Sequence, residues 1–225
     1  MFALTRTLSR KFSRRFRYLS NKEREKDNNL DDLELQVVRY KPEGLEALCR
    51  STKFSKKELQ IMYRGFKQEC PSGMVTEDVF KDIYAQFFPQ GGKSNSNSYA
   101  HYVFNTFDAD RSGSISFEEF VVGLSVLARG TLQEKLQWAF NLYDVNHDGI
   151  ITKEEMSDIV TAIYDMMGRY VEPSIDDTCA KDHVERIFQR MDTNHDGVIS
   201  VEEFMDTCEK DAFIRQSMAM FDTVL

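Results

Sequence analysis

Three twelve-residue stretches of one pattern constrain this chain more than any other feature. Residues 108–119 read DADRSGSISFEE, residues 144–155 read DVNHDGIITKEE and residues 192–203 read DTNHDGVISVEE. Each has oxygen-bearing side chains at loop positions 1, 3 and 5, a glycine at 6, an isoleucine at 8 and a glutamate at 12. Each lies between segments whose apolar residues recur at helical spacing. A fourth, weaker stretch surrounds Gly73, so the central glycines Gly73, Gly113, Gly149 and Gly197 are 40, 36 and 48 residues apart. This is an internal helix–loop–helix repeat. Such units bury their apolar faces best in pairs, so four of them predict two lobes.

The spacing has a chemical reason. Calcium takes about six to eight hard oxygens at about 2.3–2.6 Å. Positions 1, 3 and 5 supply side-chain oxygens from one tight turn: Asp108, Asp110 and Ser112; Asp144, Asn146 and Asp148; Asp192, Asn194 and Asp196. Glycine at position 6 reverses the chain without steric penalty. Position 7 offers a backbone carbonyl, from Ser114, Ile150 and Val198. Position 9 often holds a water. The glutamate at 12 (Glu119, Glu155, Glu203) arrives from the exiting helix and binds with both oxygens, which ties metal occupancy to helix orientation. Three such EF-hand loops in register are hard to reconcile with merely solvated acidic turns. The expected fold is all-α, with four EF-hand units paired into two lobes and short β contacts between paired loops. Ile115, Ile151 and Ile199 would make those contacts.

The first repeat departs from the pattern. With Gly73 at position 6, position 1 is Gln68, position 3 is Cys70, position 4 is Pro71 and position 12 is Val79. It is expected to bind no calcium and to serve the core, with Val75 pairing with Ile115. Cys70 reads as an inert thiol, and His147 and His195, at position 4 of their loops, as solvated. The four cysteines include no CxxC pair and suit a reducing compartment. No GxGxxG, Walker loop, HExxH or nucleophile elbow is present, so binding rather than catalysis is expected.

The net charge of −8 is unevenly distributed. Residues 1–26 hold nine basic residues against Glu23 and Glu25, a surplus of seven positive charges that leaves −15 on the remainder. The acidic body argues against nucleic acid. Residues 1–36 read as a basic amphipathic arm and charged linker. Residues 37–130 and 131–210 read as the two lobes, and residues 211–225 as an amphipathic C-terminal helix. The arm, with Leu8, Phe12, Phe16 and Leu19 opposite Arg6, Arg10, Arg14 and Arg17, suits an anionic membrane surface or a partner. A mitochondrial transit peptide shares its composition. Phe2 rules out N-myristoylation. Gly91, Gly92 and the Ser/Asn run to Ser98 read as a flexible loop, and Val171–Thr178 as a separator. Seventeen Phe, nine Tyr and ten Met exceed what the core needs, and an apolar groove would use the surplus. Trp138 is either core or the floor of that groove. Phe221, on the apolar face of the C-terminal helix, belongs either to core or to a displaceable lid.

The stretches YKPEGLEALC, ELQIMYRGFKQECPSG, FNLYDVNHDGIITKEEM and IVTAIYDMMG, with the Cys70-Pro71-Ser72-Gly73 loop, carry a family resemblance. The chain resembles the neuronal calcium sensor family, in its voltage-gated potassium channel-interacting branch, over about residues 37–225. The resemblance implies a cytoplasmic auxiliary subunit of A-type, Shal-class channels, at the inner face of the plasma membrane or on secretory membranes. It implies that the channel's apolar N-terminal helix lies between the lobes and displaces the C-terminal helix. It also implies that Leu45, Tyr63 and Lys67 grip the channel's tetramerisation domain. One departure matters: the 108–119 loop, often degraded in that branch, is intact here. Two or three calcium ions are therefore expected, with magnesium an option at a weaker loop, and self-association is left open. The rival readings are a calcium buffer, a sensor for a phosphatase, kinase or cyclase, and a calcium-released transcriptional repressor.

Overall fold

A computed structural model describes residues 44–87, 92–167 and 177–211, and these are mostly helical. The arm, the linker and the C-terminal helix with Phe221 lie outside the described residues. The order is α1 (Leu45–Ser51), α2 (Lys56–Glu69), β1 (Met74–Thr76), α3 (Glu77–Phe87), α4 (Gly92–Phe107), β2 (Ser114–Ser116), α5 (Phe117–Arg129), α6 (Leu132–Tyr143), β3 (Ile150–Thr152), α7 (Lys153–Met167), α8 (Asp177–Met191), β4 (Val198–Ser200) and α9 (Val201–Lys210). After α1, a helix–loop–strand–helix unit therefore occurs four times.

The helix starts are written in the chain. Ser55, Ser116, Thr131 and Ser200 each accept from the backbone N–H three residues on, while a glutamate there reaches back to the cap. These reciprocal capping boxes satisfy donors that a helix N-terminus leaves open. The strands are three residues long and pair antiparallel, β1 with β2 and β3 with β4. Val75 stands opposite Ile115 and Ile151 opposite Ile199, all four buried.

Two apolar clusters form the core. The first gathers Leu59 and Phe66 from α2, Phe80 and Tyr84 from α3, Val103 and Phe104 from α4, and Phe117, Phe120 and Leu124 from α5. The second gathers Met156 and Val160 from α7, Val184 and Phe188 from α8, and Phe204 and Cys208 from α9. Helix α6 serves both: Trp138 and Leu142, one turn apart, enter the first, and Leu136, Ala139 and Phe140 the second. Helix α7 does the same, with Ile159, Ala162 and Ile163 in the first cluster. The repeats thus pair in chain order, but the core does not divide at residue 130.

The Ser/Asn run corrects one expectation. Gly92–Ser98 is not a loop but the opening of α4. Propensity is a weak prior. The later turns of this helix are anchored by the fully buried Tyr99, Ala100 and Val103, and the run needs only to continue them. Of the Val171–Thr178 separator, Asp177 and Thr178 already belong to α8, and residues 171–176 lie outside the described residues.

Arg129 pins the α1–α2 connection to the end of α5. Its guanidinium donates to the Lys53 carbonyl at 2.7 Å and to Glu58 Oε1 at 2.5 Å, and lies 4.7 Å over the Phe54 ring. Nearby, the Lys53 backbone N–H donates to the buried Ser125 hydroxyl at 2.8 Å. Arg129 is the first cause holding the Glu58 carboxyl down to about 2 from its ordinary 4.5. A depressed carboxylate stabilises the fold above its unfolded pKa, and that stability is lost as pH falls through the folded value. Thermal unfolding of Glu58→Gln against the parent should therefore show a melting-temperature gap at neutral pH that closes as pH falls from about 4.5 to about 2.

Candidate metal centres

Each loop is built on the same backbone device. Position 4 is left-handed at Arg111, His147 and His195, with φ of 56°, 59° and 59°. Position 6 is left-handed at Gly113, Gly149 and Gly197, with φ of 78°, 91° and 86°. The double reversal turns successive backbone N–H groups inward. The aspartate at position 1, buried in all three loops, accepts two of them. Asp108 takes Ser112 at 3.0 Å and Gly113 at 2.8 Å; Asp144 takes Asp148 at 3.1 Å and Gly149 at 3.0 Å; Asp192 takes Asp196 at 3.2 Å and Gly197 at 3.1 Å. His147 and His195 are exposed.

The glutamate at position 12 spans the loop. Glu119 Oε1 accepts from the Ala109 and Asp110 backbone at 3.0 and 3.3 Å, and its Oε2 accepts from Ser116 N and Oγ, both at 2.8 Å. Glu155 bridges Asn146 N and Thr152, and Glu203 bridges Thr193, Asn194 and Ser200, in the same way. For Glu203 these bonds, the Ser200 backbone first, hold the carboxyl down to about 2. Asp110 is likewise lowered, chiefly by Ser112. One carboxylate thus ties the start of the loop to the first turn of the exiting helix. The next residue is a core anchor in every case: Phe120, Met156 and Phe204 are buried. Sequence reading passed over Ser116, Thr152 and Ser200, treating position 9 as a water site. The signal was present as Ser/Thr-x-x-Glu.

The loops differ in how their charges gather. Carboxylate oxygens of Asp108, Asp110 and Glu119 lie within 4.8 Å of one another. Oxygens sharing one cation at about 2.3–2.6 Å cannot stand more than about 5 Å apart, so this hard-oxygen set fits a calcium ion. Ser112 Oγ donates to the Ser114 carbonyl at 2.9 Å, which brings positions 5 and 7 together. The expected sets Asp144, Asp148, Glu155 and Asp192, Asp196, Glu203 do not form an equally tight carboxylate group. There, neutral Asn146 and Asn194 stand at position 3 and donate to Asp148 and Asp196, both at 2.9 Å. The same aspartates accept the backbone N–H of Ile150 and Val198 at 3.0 Å. These position-5 carboxylates are turned to local bonds within their loops.

The first repeat cannot copy this backbone. Its Gly73 is left-handed, φ 85°, but position 4 is Pro71, whose ring fixes φ near −65° where the other loops need almost +60°. Cys70 is buried and its thiol is pushed up to about 11 by burial, so it stays protonated and inert. Of the expected partner positions, Leu45 is half-buried on α1, and Tyr63 and Lys67 lie one turn apart on α2. Tyr63 packs edge-on to Phe117 at 5.0 Å, and Lys67 donates to the Pro71 carbonyl at 2.8 Å. Trp138 is core here, 7% exposed, and not the floor of an open groove. An apolar cavity of about 520 Å³ instead lies between α8 and α9, with Ile187 and Met191 in its wall and Arg186 and Arg190 beside them.

Glu203→Gln should lower calcium affinity at its loop about tenfold or more by calorimetry, since a charged contact of about 1.5–3 kcal/mol is lost. Ser200→Ala keeps that ligand and should cost about 1 kcal/mol of ion-free stability through the lost cap, with a smaller change in affinity. Comparison with known families agrees with the loop geometry. Residues 133–209 match the family described as an EF-hand domain pair, and residues 101–124 match an EF hand. The chain carries EF-hand calcium-binding domains.

Proposed function

We propose that this protein is a calcium sensor with four EF-hands, three of them competent, and that its metal-loaded form binds the N-terminal helix of an A-type, Shal-class voltage-gated potassium channel. On this reading it is a non-enzymatic regulatory subunit of the channel-interacting branch of neuronal calcium sensors, altering gating and surface delivery. The observation that carries the sensor reading is the pairing of each position-12 glutamate with a buried neighbour. Metal drawing on Glu119, Glu155 or Glu203 draws on Phe120, Met156 or Phe204, and so on the helices of the shared core. The channel as target is supported by the motif resemblance and by Leu45, Tyr63 and Lys67, which sit on two helices packed against each other. The Asn-bearing loops are the places where magnesium would compete.

No described helix is long and apolar enough to cross a membrane. The basic arm of residues 1–26 is proposed to meet anionic lipid at the cytoplasmic face of the plasma membrane or of secretory membranes, where polybasic segments gain from surface potential.

A second reading, the calcium buffer, draws on a different observation. Among the described residues the large apolar side chains left exposed are Val79 and Val122. A buffer would stay closed in this way with metal bound; a sensor would open.

Affinity capture on the immobilised full chain from excitable-cell membranes, in calcium and in chelator, separates these readings. Shal-class subunits should be retained by the parent and several-fold less by Tyr63→Ala/Lys67→Ala. Recovery of a phosphatase, kinase or cyclase in their place would overturn the channel assignment. No retained protein, together with calcium-independent binding of a hydrophobic dye, would point to the buffer.

A further inference from the structure

The 108–119 loop is joined to the rest of the molecule by a line of three residues that the metal ligands alone do not explain. Phe107 precedes the first ligand position and is buried. Its ring stacks on Phe120 at 6.3 Å, beside the position-12 glutamate, and meets Trp138 of α6 edge-on at 6.2 Å. Phe80 closes a further side at 6.2 Å. On α5, Gly123 leaves the space that the ring fills. A Cβ at residue 123 would stand 2.4 Å from Cε1 and 2.6 Å from Cδ1 of Phe107. Gly123 is mid-helix, where glycine costs stability and its φ is ordinary, so backbone conformation does not call for it. Close approach of the Phe107 ring does.

We propose that Phe107 and Gly123 are positioning residues that set the packing of α4 against α5, and that Trp138 carries the state of the 108–119 loop into α6 and so to the loop at 144–155. This rests on reading 108–119 as a metal loop. Helices α4 and α5 are the two arms of that loop, and their nearest approach on this side is a ring seated on a bare backbone. A shift of α5 drawn by Glu119 moves Phe120 and Gly123 together, and the Phe107 ring must follow or lose its seat. Its other face is Trp138, six residues before Asp144 on a helix that leads straight into the next loop. Trp138 is also poised to respond. Its Nε1 is buried with no hydrogen-bond partner among the described residues, so a small movement that lets it reach one is favoured. Packed aromatic clusters switch between discrete arrangements rather than deform continuously, which suits a relay.

The test uses the full chain carrying Glu155→Gln and Glu203→Gln, so that 108–119 is the loop with its glutamate intact. Trp138 is the single tryptophan, so its emission reports without background. Calcium is added while ion uptake is followed by calorimetry and emission by fluorescence. The expected result is an emission change that tracks uptake. Phe107→Leu, in the same background, should still take up the ion but lose the emission response. Gly123→Ala should change the ion-free emission and move the calcium midpoint several-fold. Ion uptake with unchanged Trp138 emission in the parent, or an undiminished response in Phe107→Leu, overturns the relay and leaves the metal reading standing. No uptake at all removes the metal reading of this loop, and the relay with it.

Discussion

A single carboxylate per loop, at position 12, holds this architecture together. It accepts from backbone N–H groups at the loop's start with one oxygen and from the exiting helix's cap with the other. Loop closure and helix initiation are therefore one event. The double use explains why the chain places Ser or Thr at position 9 and Glu at position 12: the pair is a capping box as well as part of a metal cage. A bidentate cation would compete for the same oxygens, so its arrival is felt where the helix begins.

The pull is conserved through the rest of the fold because the core is shared. Two helices, α6 and α7, each present different faces to the two clusters. Tyr143, next to the first ligand position of the 144–155 loop, packs against both. Antiparallel pairing of Val75 with Ile115 and of Ile151 with Ile199 couples loops within each pair. Contacts through α4, α6 and α7 couple one pair to the other. Short strands suffice here, since their buried isoleucines do the packing and their backbones only fix the register.

The repeat around Gly73 shows what remains when the chemistry is removed but the architecture kept. Its strand, its buried Val75 and its anchor Phe80 occupy the same places as in the other repeats. The ligands are gone, and Pro71 forbids the left-handed step that Arg111, His147 and His195 take. Lys67 fills part of the gap by donating to the Pro71 carbonyl. What this unit keeps is its apolar contribution to the first cluster.

Spacing alone determined the loops, their partners' register and the disabled first repeat, because each depends on residues within twelve positions of one another. Position 8 isoleucines and position 6 glycines carry that meaning locally, wherever the chain goes next. The fate of Gly92–Ser98, helical against its own propensity, was decided by the buried turns downstream. The tight carboxylate group at Asp108, Asp110 and Glu119, and its looser counterparts, depended on side-chain bonds that no pattern of letters records. Whether Trp138 is core or surface, and that Gly123 exists to admit the Phe107 ring, depended on helices meeting across 15 to 31 residues of chain. Local geometry is written in short-range chemistry; which faces meet is settled only when all the helices compete for the same buried space.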